Sequence, residues 1–283
     1  MDIQGLLIKI TRSENLPVLP QVATQVLHIV DNPISSHRDL AKVIEGDPAI
    51  AGKVLRVANS PIYGAQNITS IGRAISVLGL NTVRTLILGV VYQQIISTKQ
   101  RSQRFSKVEL WQHSLAVGTC ARVLAKLKLP LKAEELYCAG LMHDVGVLVL
   151  DRFAPEELDR AIAFAFERNT TLPEALRAIL GFDQTEVGAM LAQKWGLSPL
   201  ISACVHGHLT PTDGEPYYQA TCFINISDVV AHRSGYHNNS PSPPMEYNEA
   251  ALAQIGLPVE QLEVIQGVVV AEVEKTRQAL QIK

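Results

Sequence analysis

Apolar residues recur along this chain at spacings of three and four, and the alternating runs of a half-buried strand are missing. Ile50, Val54, Leu55 and Ala58 form one such face. Asp47-Pro48 precedes it, a short acceptor followed by proline at the first helical position. Ser198-Pro199 repeats the signal ahead of Leu200, Ile201 and Val205. Ser106 with Glu109, and Thr171 with Glu174, fit the capping box, and Asp183 with Glu186 has the same spacing. The pattern predicts an all-α protein. After about Asn248, Val259, Leu262, Val264, Ile265, Val268 and Val269 supply the apolar face of a further helix. Two polar stretches interrupt the periodicity. Residues 97–106 (STKQRSQRFS) read as a solvated junction, and 233–244 (RSGYHNNSPSPP) as a loop by their Gly, Asn, Ser and Pro content. The expected division is an N-terminal helical lobe over 1–104, a second helical lobe over 105–235, and a loop with a helical extension over 236–283.

The chain has 283 residues, of which 47% are hydrophobic, within the globular range. Lys and Arg total 25 against 27 Asp and Glu, a net charge of −2. That balance excludes nucleic-acid binding driven by bulk charge, and Lys99, Arg101 and Arg104 are too few to restore it. Cys120, Cys138, Cys204 and Cys222 form no C-x-x-C pair and sit in apolar stretches. They read as small buried side chains in a reducing cytoplasm. The opening MDIQGLLIKITRSE is not a secretory signal, and no apolar run approaches the ~20 residues of a membrane helix. A cytoplasmic protein without membrane contact is expected.

The chemistry concentrates at Gly140-Leu141-Met142-His143-Asp144-Val145-Gly146. A carboxylate inside an apolar segment needs a partner or a metal. An adjacent imidazole and carboxylate suit a first-row cation such as Fe, Mn, Zn or Ni. His113 precedes His143 by 30 residues, enough for a helix and a turn, and Asp228 lies in another apolar run. Taken singly each has an ordinary reading, as a core histidine or a helix-end acid. As a set they outline one shared polar site. His206 and His208 are further candidates: two apart on a helix they diverge, but a break at Gly207 lets both face one pocket. No nucleophile elbow, phosphate loop or H-E-x-x-H is present, so metal-assisted hydrolysis is the reaction class the residues suggest.

Leu16-Pro17-Val18-Leu19-Pro20, Asp47-Pro48-Ala49-Ile50, Val54 to Ser60 (VLRVANS) and Ala74 to Gly79 (AISVLG) resemble the signature of HDOD domains, HD-related output domains of bacterial signalling proteins. Ala139 to Gly146, Glu186-Val187-Gly188-Ala189 and Trp195 extend the resemblance over roughly residues 10–235. It implies an HD-like helical bundle related to metal-dependent phosphohydrolases. His113, His143, Asp144 and Asp228 then resemble the metal ligands of that superfamily, with Asp144 the candidate catalytic residue. His208 falls near a histidine pair that related domains use for a second metal. The sequence departs from the cyclic-dinucleotide phosphodiesterases of that superfamily. Val147 stands where they carry lysine, Gly235-Tyr236 is followed by His237, and Gln184 stands where many HDOD relatives carry histidine. One divalent metal rather than two is the expectation, without cyclic-dinucleotide hydrolysis.

Two functions follow from these readings. The first is a signalling or regulatory module with a metal site and little or no catalysis, engaging a protein partner. The second is a metal-dependent phosphohydrolase acting on a nucleotide or another phosphoester, which also makes a nucleotide the candidate ligand. Nucleic-acid binding ranks last.

Overall fold

The computed structural model describes residues 5, 6, 8, 25, 37–60, 67–80, 82, 83, 86, 87, 90, 100–239 and 245–280. Every regular element among them is helical. The chain divides into two compact units, Met1–Val18 with Ile96–Val270, and Leu19–Ile95 with Ala271–Lys283.

In the smaller unit, α1 (His37–Glu45), α2 (Pro48–Ala58) and α3 (Ile71–Leu78) pack on one another. Leu40 and Ile44, Ile50 and Val54, and Ile71 and Ile75 are buried, each pair four apart on one helix face. Asp47 Oδ1 accepts the Ile50 N–H at 3.1 Å and Ser70 Oγ the Arg73 N–H at 3.3 Å, so both helix starts are capped. Asn59, at the end of α2, ties that end to Ile68 ahead of α3. Its carboxamide donates to Leu55 O and Ile68 O and accepts from Ile68 N, all within 2.9 Å. The Leu16–Pro20 motif lies outside the described residues.

The larger unit is built from α4 (Lys107–Lys128), a 3-10 turn (Pro130–Lys132), α5 (Ala133–Met142), α6 (Val145–Phe153), α7 (Pro155–Arg168), α8 (Leu172–Leu180), α9 (Gln184–Lys194), α10 (Pro199–Gly207), α11 (Tyr218–Arg233) and α12 (Glu249–Ile255). The first half of α13 (Val259–Leu280) completes it. All of α5 except Glu134 is buried, which fits a helix apolar on every side. It packs on α4, which also packs on α11. Two glycine contacts allow the close approaches. A Cβ on Gly140 would lie 2.6 Å from Gly118 Cα, so α4 and α5 touch backbone to backbone. A Cβ on Gly146 would overlap the Gln184 carbonyl, so α6 and α9 meet the same way. The first contact draws His113 and His143 together; the second draws Gln184 to Asp144. All four cysteines are free and buried. Among the described residues no helix is long and apolar enough to cross a membrane.

The capping signals are realised unequally. Thr171 and Glu174 form the complete box. Ser106 accepts the Glu109 N–H, but its own N–H goes to Asn239 Oδ1, which takes the role expected of the Glu109 carboxylate. Asp183 Oδ1 accepts from Thr185 N and Thr185 Oγ1 while Oδ2 pairs with Arg177, so Glu186 is not its reciprocal partner. The junction is not free in solvent where it is described. Asp151 Oδ1 accepts from the N–H groups of Arg101 and Ser102, Asp159 accepts from Gln103 and Arg104, and Phe105 is buried. On α13, Leu262, Ile265 and Val269 are buried, whereas Val259, Val264 and Val268 are exposed, so the apolar face is narrower than the sequence pattern suggests.

Candidate metal centre

His113 projects from α4, His143 follows α5, Asp144 precedes α6, His208 follows α10, and Asp228 and His232 project one turn apart from α11. All six are buried. His113 Nε2 lies 3.2 Å from His143 Nε2 and 3.2 Å from Asp228 Oδ1. His143 Nε2 lies 3.5 Å from Asp144 Oδ2, and His208 Nε2 lies 3.7 Å from Asp144 Oδ1. Two donor trios share His143: with His113 and Asp228, and with Asp144 and His208. The structure thus brings together His113, His143, Asp144, His208 and Asp228. It leaves His206 exposed on a neighbouring cleft, because the helix runs unbroken through Gly207 with His208 still in helical backbone conformation, and side chains two apart on a helix diverge.

The histidine tautomers follow from their partners. His113 Nδ1 faces Tyr236 O at 3.0 Å, His143 Nδ1 faces Gly140 O at 2.7 Å, and His208 Nδ1 faces Cys204 O and Val205 O at 3.2 Å. A carbonyl only accepts, so each Nδ1 carries the hydrogen and each neutral ring turns an Nε2 lone pair inward. His208 Nε2 and Asp228 Oδ1 are buried without a hydrogen-bond partner. Inward lone pairs 3.2 Å apart, flanked by two carboxylates, repel unless a cation sits among them or His113 Nε2 takes a proton toward Asp228. Atoms bound to one metal at about 2.0–2.1 Å in tetrahedral geometry stand ~3.4 Å apart, the scale of these distances. The residues therefore fit a divalent metal.

The electrostatics agree. Burial together with the neighbouring His208 and His113 lowers His143 to about 4. Burial lowers His232 to about 4. Burial also opposes charge on His113, but Asp228 and Asp144 outweigh it and raise its pKa. Burial would raise Asp144 and Asp228; the surrounding imidazoles override it and lower both.

Gln184, already marked in the sequence as a replacement for histidine, joins the site together with Asn238 and His232, which the sequence pattern does not single out. Gln184 Nε2 donates to Asp144 Oδ1 at 3.0 Å and Asn238 Nδ2 donates to Asp144 Oδ2 at 2.9 Å. His232 lies 3.5 Å from Asp228 Oδ1, and its ring stacks toward His113 and His237. The i, i+4 spacing of Asp228 and His232 on a predicted helix is a signal that could have found it; Asn238 lies in a loop and carries none. A cleft of about 210 Å³ opens beside the cluster, with Asp144, Asp228, His232 and Asn238 on its buried wall and the exposed Glu174 and Arg177 opposite. Arg177 is the only Lys or Arg among the described residues that line it.

Comparisons with known proteins agree with this architecture. A curated but uncharacterised protein of Treponema pallidum (strain Nichols) is 28% identical over 224 residues. The match takes in 76% of this chain and 42% of that protein, so the chain spans about two fifths of its relative's length. Among solved structures, an HDOD domain protein of unknown function from Geobacter sulfurreducens superimposes with a TM-score of 0.79 at 22% identity, covering 99% of this chain and 97% of that one. A candidate signal transduction protein from Marinobacter aquaeolei VT8 gives 0.78 at 21%, covering 98% and 65%. A candidate metal-dependent phosphohydrolase from Shewanella amazonensis SB2B gives 0.61 at 26%, covering 98% and 97%. The HDOD domain profile matches residues 16–211. With that match covering most of its length, the chain belongs to the HDOD domain family.

Proposed function

We propose that this chain is a cytoplasmic signalling module that holds one divalent metal through His113, His143, Asp144 and Asp228 and acts by binding rather than by turnover. Residues 105–235 carry the centre, and residues 1–104 present the surface for a protein partner. The observation that carries this reading is the double amide clamp on Asp144. With Gln184 on one oxygen and Asn238 on the other, the carboxylate has lone pairs left for a metal but is a poor proton acceptor for an attacking water. Val147, buried where the related phosphodiesterases carry lysine, offers a phosphate no charge. The signal transduction description of the Marinobacter relative supports the same direction, and four buried free cysteines suit a reducing compartment.

A bound metal would act as a Lewis acid on a phosphoryl oxygen and lower the pKa of a bound water. The chain's own part is to present the donors. Tyr236 O and Gly140 O hold the His113 and His143 rings, and Gln184 with Asn238 holds Asp144. The second reading, a metal-dependent phosphohydrolase, is favoured by the cleft that reaches Asp144 and Asp228 and by the Shewanella relative's description.

The test is metal analysis of untagged protein beside His143→Ala, followed by assay with p-nitrophenyl phosphate and bis(p-nitrophenyl) phosphate. The expected result is about one equivalent of a first-row metal, lost in the variant, with turnover at background. Turnover on the order of 1 s⁻¹ or faster, the ordinary enzyme range, moves the conclusion to the phosphohydrolase. No metal after soaking in manganese, iron or zinc overturns both.

A further inference from the structure

The end of α11 brings a further pair of histidines together beside the metal centre. Gly235, at φ +87°, takes the left-handed turn that closes the helix. Its N–H donates to His232 O and the Tyr236 N–H donates to Ala231 O, both at 3.0 Å. This double closure turns the chain back, so that His237 lies against the last turn of the helix it follows. Its Nδ1 is 3.4 Å from His232 Nδ1, with the ring centroids 5.7 Å apart. The residues on either side of His237 are tied to the buried centre. Tyr236 O accepts from His113 Nδ1, and Asn238 Nδ2 donates to Asp144 Oδ2. His237 is therefore held in place although it is exposed, while its neighbour His232 is buried.

The pair is arranged as a ligand set. Two donors to one tetrahedral ion stand ~3.4 Å apart, which is the spacing of these two nitrogens. The other nitrogen of His232, Nε2, lies 3.5 Å from Asp228 Oδ1. A carboxylate only accepts, so the hydrogen belongs on Nε2 and the Nδ1 lone pair turns toward His237. An imidazole whose far N–H meets a carboxylate is the usual form of a metal-bound histidine. His237, open to water, can carry its own hydrogen on Nε2 and turn its Nδ1 lone pair to the same point. The surroundings suit a cation. A cleft of about 470 Å³ opens at His237, and, His237 aside, Glu109 is the only ionisable acid or base with charge at neutral pH among the described residues that line it. Imidazole nitrogens suit zinc, copper or nickel rather than magnesium or calcium. With two protein donors, water fills the remaining positions, and the ion exchanges more readily than one held by the buried set.

We infer that Nδ1 of His232 and Nδ1 of His237 form an outer site for a first-row divalent cation, separate from the buried centre. Asp228 Oδ1 lies 3.2 Å from His113 Nε2 and 3.5 Å from His232 Nε2, so one carboxylate oxygen borders both sites. The outer site goes beyond the metal reading above and does not depend on turnover.

The test is equilibrium dialysis of the full chain against zinc, with bound metal counted before and after a chelator wash. Wild-type protein is expected to bind one zinc beyond its chelator-resistant metal at micromolar free zinc. His237→Gln keeps a side-chain N–H for His232 but supplies no ring nitrogen. It weakens this zinc by about tenfold or more and leaves the chelator-resistant metal in place. His208→Ala, which removes a donor from the buried cluster, keeps the outer zinc. The inference is overturned if wild type takes up no further zinc, if His237→Gln binds it within twofold of wild type, or if His208→Ala removes it, which assigns it to the trio of His143, Asp144 and His208. A single zinc that is lost in His237→Gln and kept in His143→Ala supports the outer site and overturns the preceding section instead.

Discussion

Replacing Gly140 by alanine tests how the metal centre is assembled. A Cβ at this position would lie 2.6 Å from Gly118 Cα and 2.7 Å from Gly118 N. Carbon atoms pack comfortably at about 3.5–4.0 Å, so α4 and α5 must separate by about 1 Å. Both opposing atoms are backbone, and no rotamer change can relieve the clash. Overpacking of this kind costs about 1–3 kcal/mol, and the upper end applies where the wall cannot yield. Alanine returns up to about 1 kcal/mol through helix propensity. The net expectation for Gly140→Ala is a loss of about 2 kcal/mol. The same separation widens the 3.2 Å approach of His113 and His143, so metal affinity falls by about tenfold or more, as for other disturbed ligand shells. Gly52 in α2 is the control, because among the described residues nothing lies within 4 Å of its Cβ position. Gly52→Ala should gain up to about 1 kcal/mol. Urea unfolding followed by circular dichroism, with metal analysis on the same samples, reads both. A Gly140→Ala protein as stable as wild type and with its metal intact would refute the reasoning.

The metal-free protein should lose stability between pH 6.5 and 5. His143 and His232 titrate near 4 when folded and near 6.5 when unfolded, so acid protonates the unfolded chain first. The two together are worth about 3 kcal/mol across that window. His113 is raised, so its contribution is complete below 6.5 and is lost only as pH rises. The lowered Asp144 and Asp228 add their loss only below about pH 5. A urea midpoint of chelator-stripped protein that stays level or rises on acidification would contradict this. In the smaller unit, Asn59→Ala removes three hydrogen bonds and leaves both backbone groups of Ile68 without that partner, at a cost of about 1–3 kcal/mol. Faster proteolysis within residues 37–80, with metal content unchanged, is the expected result, and an unaltered cleavage rate would count against it.

The helices are legible because their punctuation is local. Pro48, Ser198-Pro199 and the Thr171–Glu174 box act within one turn of themselves. His113, His143, Asp144 and Asp228 stand out for a related reason: each is a polar group in an otherwise apolar helical stretch. What gathers them is a pair of glycine contacts between helices, whose partners are fixed only by the tertiary fold. Asn239 illustrates the remainder. It displaces Glu109 from the Ser106 N–H across 133 residues of chain, and no window of local sequence reveals that competition. His237 reads as an ordinary loop residue until the turn at Gly235 lays it against His232.

The order of the donors along the chain has a consequence for biosynthesis. From His113 to Asn238 is 125 residues, and translation at about 5–20 residues per second takes roughly 6–25 s to cover them. During that interval the growing polypeptide displays His113 and then the His143-Asp144 doublet while Asp228 and the amide of Asn238 do not yet exist. The incomplete set has fewer ligands than the finished one and binds any ion correspondingly weakly. A metal at this centre would therefore be selected only after the last donor has emerged from the ribosome, from the free pool of the compartment in which folding ends.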